Sequence, residues 1–167
     1  MTQQGAARVF HPRNILQELL SRPGGKDRDQ CITAALEQIE SLRRPSLDAV
    51  DRAIAAIETM AREHAAGLSR LDLANILQQG DLIVSIAGTY GHANLDMAAR
   101  SLCDLAHALI EKERHDAEPI VVHARALRLF SSRAQPLTQA EAELVFAELA
   151  RFRAHFGATC LLAADTE

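Results

Sequence analysis

Between residues 95 and 109 the small and branched apolar residues Leu95, Ala98, Ala99, Leu102, Leu105, Ala106 and Leu109 recur at spacings of three and four. That period places them on one face of an α-helix, and a strand, whose side chains alternate every second residue, cannot gather them on either of its faces. Weaker versions of the same stripe fill most of the chain. Ile32, Ala35, Leu36, Ile39 and Leu42 form one, and Leu47, Val50, Ile54, Ile57 and Ala61 a second. Leu71, Ile76, Leu82, Ile83 and Ile86 form a third, Ile120, Leu127 and Phe130 a fourth, and Leu144, Val145, Leu149, Phe152 and Phe156 a fifth. The apolar content is carried by Ala and Leu, with five Phe, one Tyr and no Trp, which suits helices packed closely on one another.

Punctuation between the stripes supports this reading. Pro12 sits at the first turn of a short helix through Ile15, Leu16, Leu19 and Leu20, which Pro23-Gly24-Gly25 ends. Pro45 is expected to stop the second helix and Ser46 to cap the third, which runs to Gly67 as its C′ residue. Ser69 starts the next, in which Gly80 implies a kink or a close helix contact. Residues 88–92 read as a turn, Pro119 opens a helix reaching near Ala134, and Thr138-Gln139-Ala140-Glu141 is a capping box for the last helix, which ends at Gly157. The expected architecture is all-α: an antiparallel up-down bundle with a four- to five-helix core, short links joining neighbours. An N-terminal helical arm over residues 1–45 precedes the bundle at 46–157, and residues 158–167 are expected to form a flexible tail.

Several functional classes fall away at this level. Eighteen Lys plus Arg against 22 Asp plus Glu give a net charge of −4, with both signs scattered, so there is no basic stripe of the kind that holds nucleic acid. Residues 68–87, the most apolar run, are interrupted by Asp72, Asn75, Gln78, Gln79 and Asp81, which excludes membrane insertion by a helix there. Cys31, Cys103 and Cys160 are odd in number and widely spaced, without a secretory leader ahead of them, which points to the reducing cytoplasm. No phosphate-cradling loop or nucleophile elbow occurs, Cys103 reads as a buried small residue, and no cofactor is implied.

Among the seven histidines, His107, Glu111 and His115 are spaced one helical turn apart and could hold a metal on one face. Taking Leu95 as the centre of the buried stripe and about 100° per residue, His107 falls roughly 120° away, beside Arg100, Asp104 and Glu111, so a hydrated charged face is the simpler reading and no metal ligand is assigned. His123 lies within about 40° of Leu127 and is expected in the core with its ring hydrogen-bonded. His64 sits at the edge of its stripe.

The stretch SIAGTYGHANLDMAARSLCDLAHAL, residues 85–109, resembles the core of histidine-phosphotransfer (HPt) domains, with Asn94-Leu95 matching the turn and Leu102-Cys103-Asp104-Leu105 the second helix. Together with PIVVHARALRLF, residues 119–130, it is similar to small helical proteins encoded with alphaproteobacterial chemotaxis genes, sometimes called CheE-like. The resemblance covers about the central third of the chain. It implies a bundle that works with a response-regulator receiver or a histidine kinase. It also places the phospho-accepting histidine at Ser85 or Ile86 and a lysine near Gly88 or Thr89, and neither residue type stands there.

An enzyme is therefore not expected. The reading that results is a non-catalytic signalling adaptor, a degenerate HPt-like bundle that binds a receiver or kinase domain through Thr89, Tyr90, His92 and Asn94, with an exposed apolar patch around residues 88–94. The alternatives are an active phosphocarrier using a displaced histidine, His92, His107 or His64, and a metal-binding bundle using His107, Glu111 and His115. The stripes of the arm also make a homodimer an expectation.

Overall fold

The computed structural model describes Ile15, residues 27–131 and residues 137–157. Six helices account for nearly all of these: α1 Arg28–Ser41, α2 Arg43–Glu63, α3 Arg70–Thr89, α4 Ala93–Glu111, α5 Glu118–Phe130 and α6 Gln139–Phe156. No strand occurs among the described residues, and none of their helices is long and apolar enough to cross a membrane. The short helix expected around Pro12, Leu16 and Leu20, the far end at Ala134, and the tail with Cys160 lie outside the described residues.

The chain divides into two compact units, Met1–Ser41 and Leu42–Glu167. In the first, α1 is started by the Asp27 carboxylate, which accepts the Gln30 backbone N–H at 2.8 Å. No residue of α1 is buried, and its stripe of Ile32, Leu36 and Ile39 is open to solvent.

In the second unit, α2 starts earlier than the sequence suggests. Pro45 lies inside its first turn instead of ending a helix, because the N–H that proline lacks has no intrahelical partner there. Ser46 is consequently an interior residue whose N–H donates to the Leu42 carbonyl at 3.0 Å, and the cap position belongs to Leu42. α2 ends at Glu63, short of Gly67. Two capping boxes form: Ser69 with Asp72 starts α3, and Thr138 with Glu141 starts α6. Gly157 ends α6 with φ 65°, in the left-handed region that glycine enters without steric cost.

Each of α2, α3, α4 and α5 packs on the next, and α5 returns to α2, which closes an antiparallel four-helix ring. α6 lies outside that ring, against α4 and α5. The whole stripe of α4, from Leu95 to Leu109, is buried at the centre, as the period implies. Gly80 proves to be a close contact: a Cβ there would stand 2.6 Å from Cys103 Sγ, so the missing side chain lets α3 and α4 approach.

Candidate functional site

The turn from α3 to α4 carries the four contact residues expected from sequence. Thr89 is exposed, and its hydroxyl donates to the Ser85 carbonyl at 2.8 Å. Tyr90 is half-buried, with the Arg43 guanidinium 4.9 Å from its ring centroid. His92 occupies the cap position of α4 but makes no side-chain capping bond, and its buried Nε2 has no hydrogen-bond partner among the described residues. Asn94 and His92 border a shallow pocket of about 360 Å³ closed by Leu95, Phe130 and Leu137. The exposed patch of Leu, Ile or Tyr anticipated at 88–94 is not formed, because Tyr90 lies under Arg43 and the nearest exposed large apolar residues are Leu82 and Met97.

The other two histidine candidates stand apart from this turn. His107 is exposed on α4, as its angle from Leu95 requires. His64 follows the last residue of α2, and its Nδ1 is 3.2 Å from Asp72 Oδ2, with 46% of the side chain exposed. The same Asp72 oxygen accepts from the Ser69 hydroxyl at 2.7 Å and the Ser69 N–H at 2.8 Å. These bonds, with the imidazole as a smaller contribution, hold the Asp72 carboxyl below its usual range.

The one-face arrangement of His107, Glu111 and His115 does not exist. α4 ends at Glu111, and His115 lies beyond it in the link to α5, where its Nδ1 is 2.7 Å from the Leu68 carbonyl. The Leu68 N–H donates back to the His115 carbonyl at 2.8 Å, tying the link 64–69 to the link 112–117. A carbonyl can only accept, so the His115 Nδ1 carries a proton and offers no lone pair to a metal. Among the described residues, no group of three or more His, Cys, Asp or Glu is placed to hold a metal ion.

Two polar side chains are structural, His123 in the core and Cys103, which is half-buried and not, as its place beside Leu102 suggested, fully buried. His123 is fully buried, with Nδ1 2.8 Å from the Pro119 carbonyl and Nε2 3.1 Å from the Ser101 hydroxyl. The carbonyl fixes the proton on Nδ1, so the Ser101 hydroxyl donates to Nε2 and both nitrogens are satisfied. Burial pushes the His123 pKa down to about 4, against the opposing pull of the Pro119 bond. Burial, with Asp81 and Asp104 nearby, pushes the Cys103 thiol up to about 12, so it stays protonated and is no nucleophile.

A feature the sequence reading did not single out lies along α3. Leu71, Asn75, Gln78, Leu82, Ser85 and Thr89 are spaced alternately by four and three, which aligns them on the helix face opposite the buried Leu73, Ile76, Ile83 and Ala87. All six are exposed, Leu71 at 70% and Leu82 at 40%. None is charged, and the charged residues of the helix, Arg70, Asp72 and Asp81, project about 80–100° to either side of Leu71. Ser85 lies on this line and Ile86 is half-buried beside it. The signal was available in the spacing, but Leu71 and Leu82 were read there as part of the buried stripe. No family model, curated protein or solved structure matches the chain.

Proposed function

We propose that this chain is a non-catalytic adaptor of two-component or chemotaxis signalling in the cytoplasm, a degenerate HPt-like bundle that docks a receiver or kinase domain on the outer face of α3. The observation that carries the proposal is the charge-free line from Leu71 to Thr89, about 27 Å long at 1.5 Å per residue, with exposed leucines along it. Exposed helix faces are ordinarily charged, and a long uncharged one suits burial against a partner. Ser85 stands on this line where the HPt resemblance places the phospho-accepting histidine. Its hydroxyl donates to the Asp81 backbone carbonyl at 2.9 Å, an acceptor too weak to deprotonate it.

The experiment incubates the full chain with a chemotaxis kinase, phosphorylated receiver domains and labelled ATP, follows acid-labile label on the chain, and measures complex formation by titration. A complex without label is expected, and Leu82→Glu should weaken it by at least about tenfold. Absence of both complex and label would remove the two-component reading.

A second reading, an active phosphocarrier, is supported by one geometry. His64 Nδ1 lies 3.2 Å from the Asp72 carboxylate with 46% of the side chain exposed, and an imidazole nitrogen within reach of solvent is the nucleophile that an acyl phosphate requires. Label that disappears in His64→Ala would make this reading the correct one.

A further inference from the structure

α5 borders two outer seams of the four-helix ring, one with α4 and one with α2. The first is covered by α6. No helix of the same unit lies over the second, and two depressions lie along it. One, of about 390 Å³, has Ala61, Val121 and Ala124 beneath it and Arg62 and Arg125 at its rim. The other, of about 410 Å³, is bordered by Asp48, Asp51, Arg52, Ala55 and Arg128, whose charges balance. From residue 48 to its end at Glu63 the α2 wall runs about 22 Å. That length is far beyond a small molecule and matches about 15 residues of helix.

Charge selects the occupant. Arg128 is already engaged, donating to Glu58 at 2.7 Å and standing 3.9 Å from Asp51. Glu58 is therefore neutralised within the groove. The side chains of Arg62 and Arg125 make no ion pair or hydrogen bond with any described residue, although the chain as a whole carries −4. Two guanidiniums without a described partner, over an apolar floor, suit carboxylates above an apolar stripe.

We propose that the α2/α5 groove is a docking site for an acidic amphipathic helix of a partner protein, seated with its apolar stripe on Ala61, Val121 and Ala124 and its carboxylates on Arg62 and Arg125. Such helix-in-groove binding lays one helix face between two others, as α6 lies on the neighbouring seam. This surface is made by other helices than the α3 face, so it is tested independently of the adaptor reading.

The test titrates the full-length protein into two fluorescein-labelled synthetic helices of about 18 residues, read by anisotropy. Both carry the same Leu/Ala stripe, flanked by Glu in one and by Lys in the other. The Glu helix binds saturably and the Lys helix at least about tenfold more weakly. Arg62→Glu with Arg125→Glu, and separately Ala65→Trp on the exposed rim, lower the affinity of the Glu helix by at least about tenfold, as does raising salt to about 0.5 M for the charge contribution. Leu82→Glu leaves it unchanged. Equal binding of the two helices, no saturable binding of the Glu helix, or an unaltered affinity in the double arginine variant overturns the proposal. Sedimentation of the wild-type chain as a dimer that Arg62→Glu with Arg125→Glu returns to monomer would assign the groove to a second copy and also overturn it.

Discussion

The two outer seams of α5 differ in what fills them and in what their charges do. On the α4 side, α6 buries Ala142, Leu149 and Phe156, and Phe146 stacks on Phe130 with ring centroids 5.1 Å apart. The charges there are engaged within the chain: Arg153 donates to Asp104 at 2.9 Å, Lys112 to the Phe156 carbonyl at 2.7 Å, and the Arg114 guanidinium lies 4.4 Å from the Phe156 ring centroid. On the α2 side the floor is small, and the side chains of Arg62 and Arg125 have no ion pair or hydrogen bond among the described residues. The closed seam is filled by large side chains whose charged neighbours are paired within the chain. The other has a shallow floor with two arginines at its rim, the features on which the proposed helix would seat.

The sharpest way to break this contrast is to truncate one apolar side chain on each side, by three carbons at Leu149 and by two at Val121. Leu149→Ala should cost about 2–4 kcal/mol in urea unfolding, the loss expected for a buried leucine whose surroundings cannot fully collapse. Val121→Ala on the open side, where the residue is only half-buried, should cost less than about 1 kcal/mol. Comparable losses would mean that the second seam is also a permanent part of the core.

Acid tests what the seams share, because His123 fastens α5 to Ser101 of α4 beneath both. The unfolded chain takes up a proton near the ordinary histidine value of 6.5, whereas the folded protein refuses it until about 4. Stability present above about pH 6.5 is therefore lost as pH falls towards 4, by about 3 kcal/mol for this group. Urea midpoints measured across that window should fall for the wild type and fall less for His123→Gln. A parallel decline in the variant would show that other groups carry the acid sensitivity.

A smaller effect, away from both seams, supplies the control. Gly80→Ala drives a Cβ against Cys103 Sγ and should cost about 1–3 kcal/mol, while Gly80→Ala with Cys103→Ala recovers most of it. Affinity for an acidic helix should be the same in both, since neither residue borders the open groove. A change in that affinity would tie the groove to the α3/α4 contact.

Much of the fold was legible because local chemistry decides it. The α4 stripe, the Ser69 and Thr138 starts, the glycine at 157 and the burial of His123 follow from a 3.6-residue period and from which backbone groups lack partners at a helix end. Pro45 was misleading because the same residue can end a helix or sit in the first turn of the next, and its flanking sequence fits both roles. The candidate site was less legible. Spacing alone aligned His115 with His107 and Glu111, but α4 stops at Glu111 and His115 is held by Leu68, a residue 47 positions away.

From the sequence alone it follows that the chain is helical, where the described helices begin and end to within a few residues, and which face of α4 is apolar. Only the tertiary structure decided that α6 covers one seam of α5 and leaves the other open, that Leu71 and Leu82 face solvent, and that Arg62 and Arg125 flank one depression. Period and capping are properties of neighbours along the chain, whereas seams, exposed lines and paired or unpaired charges are made by residues that meet only when the helices pack.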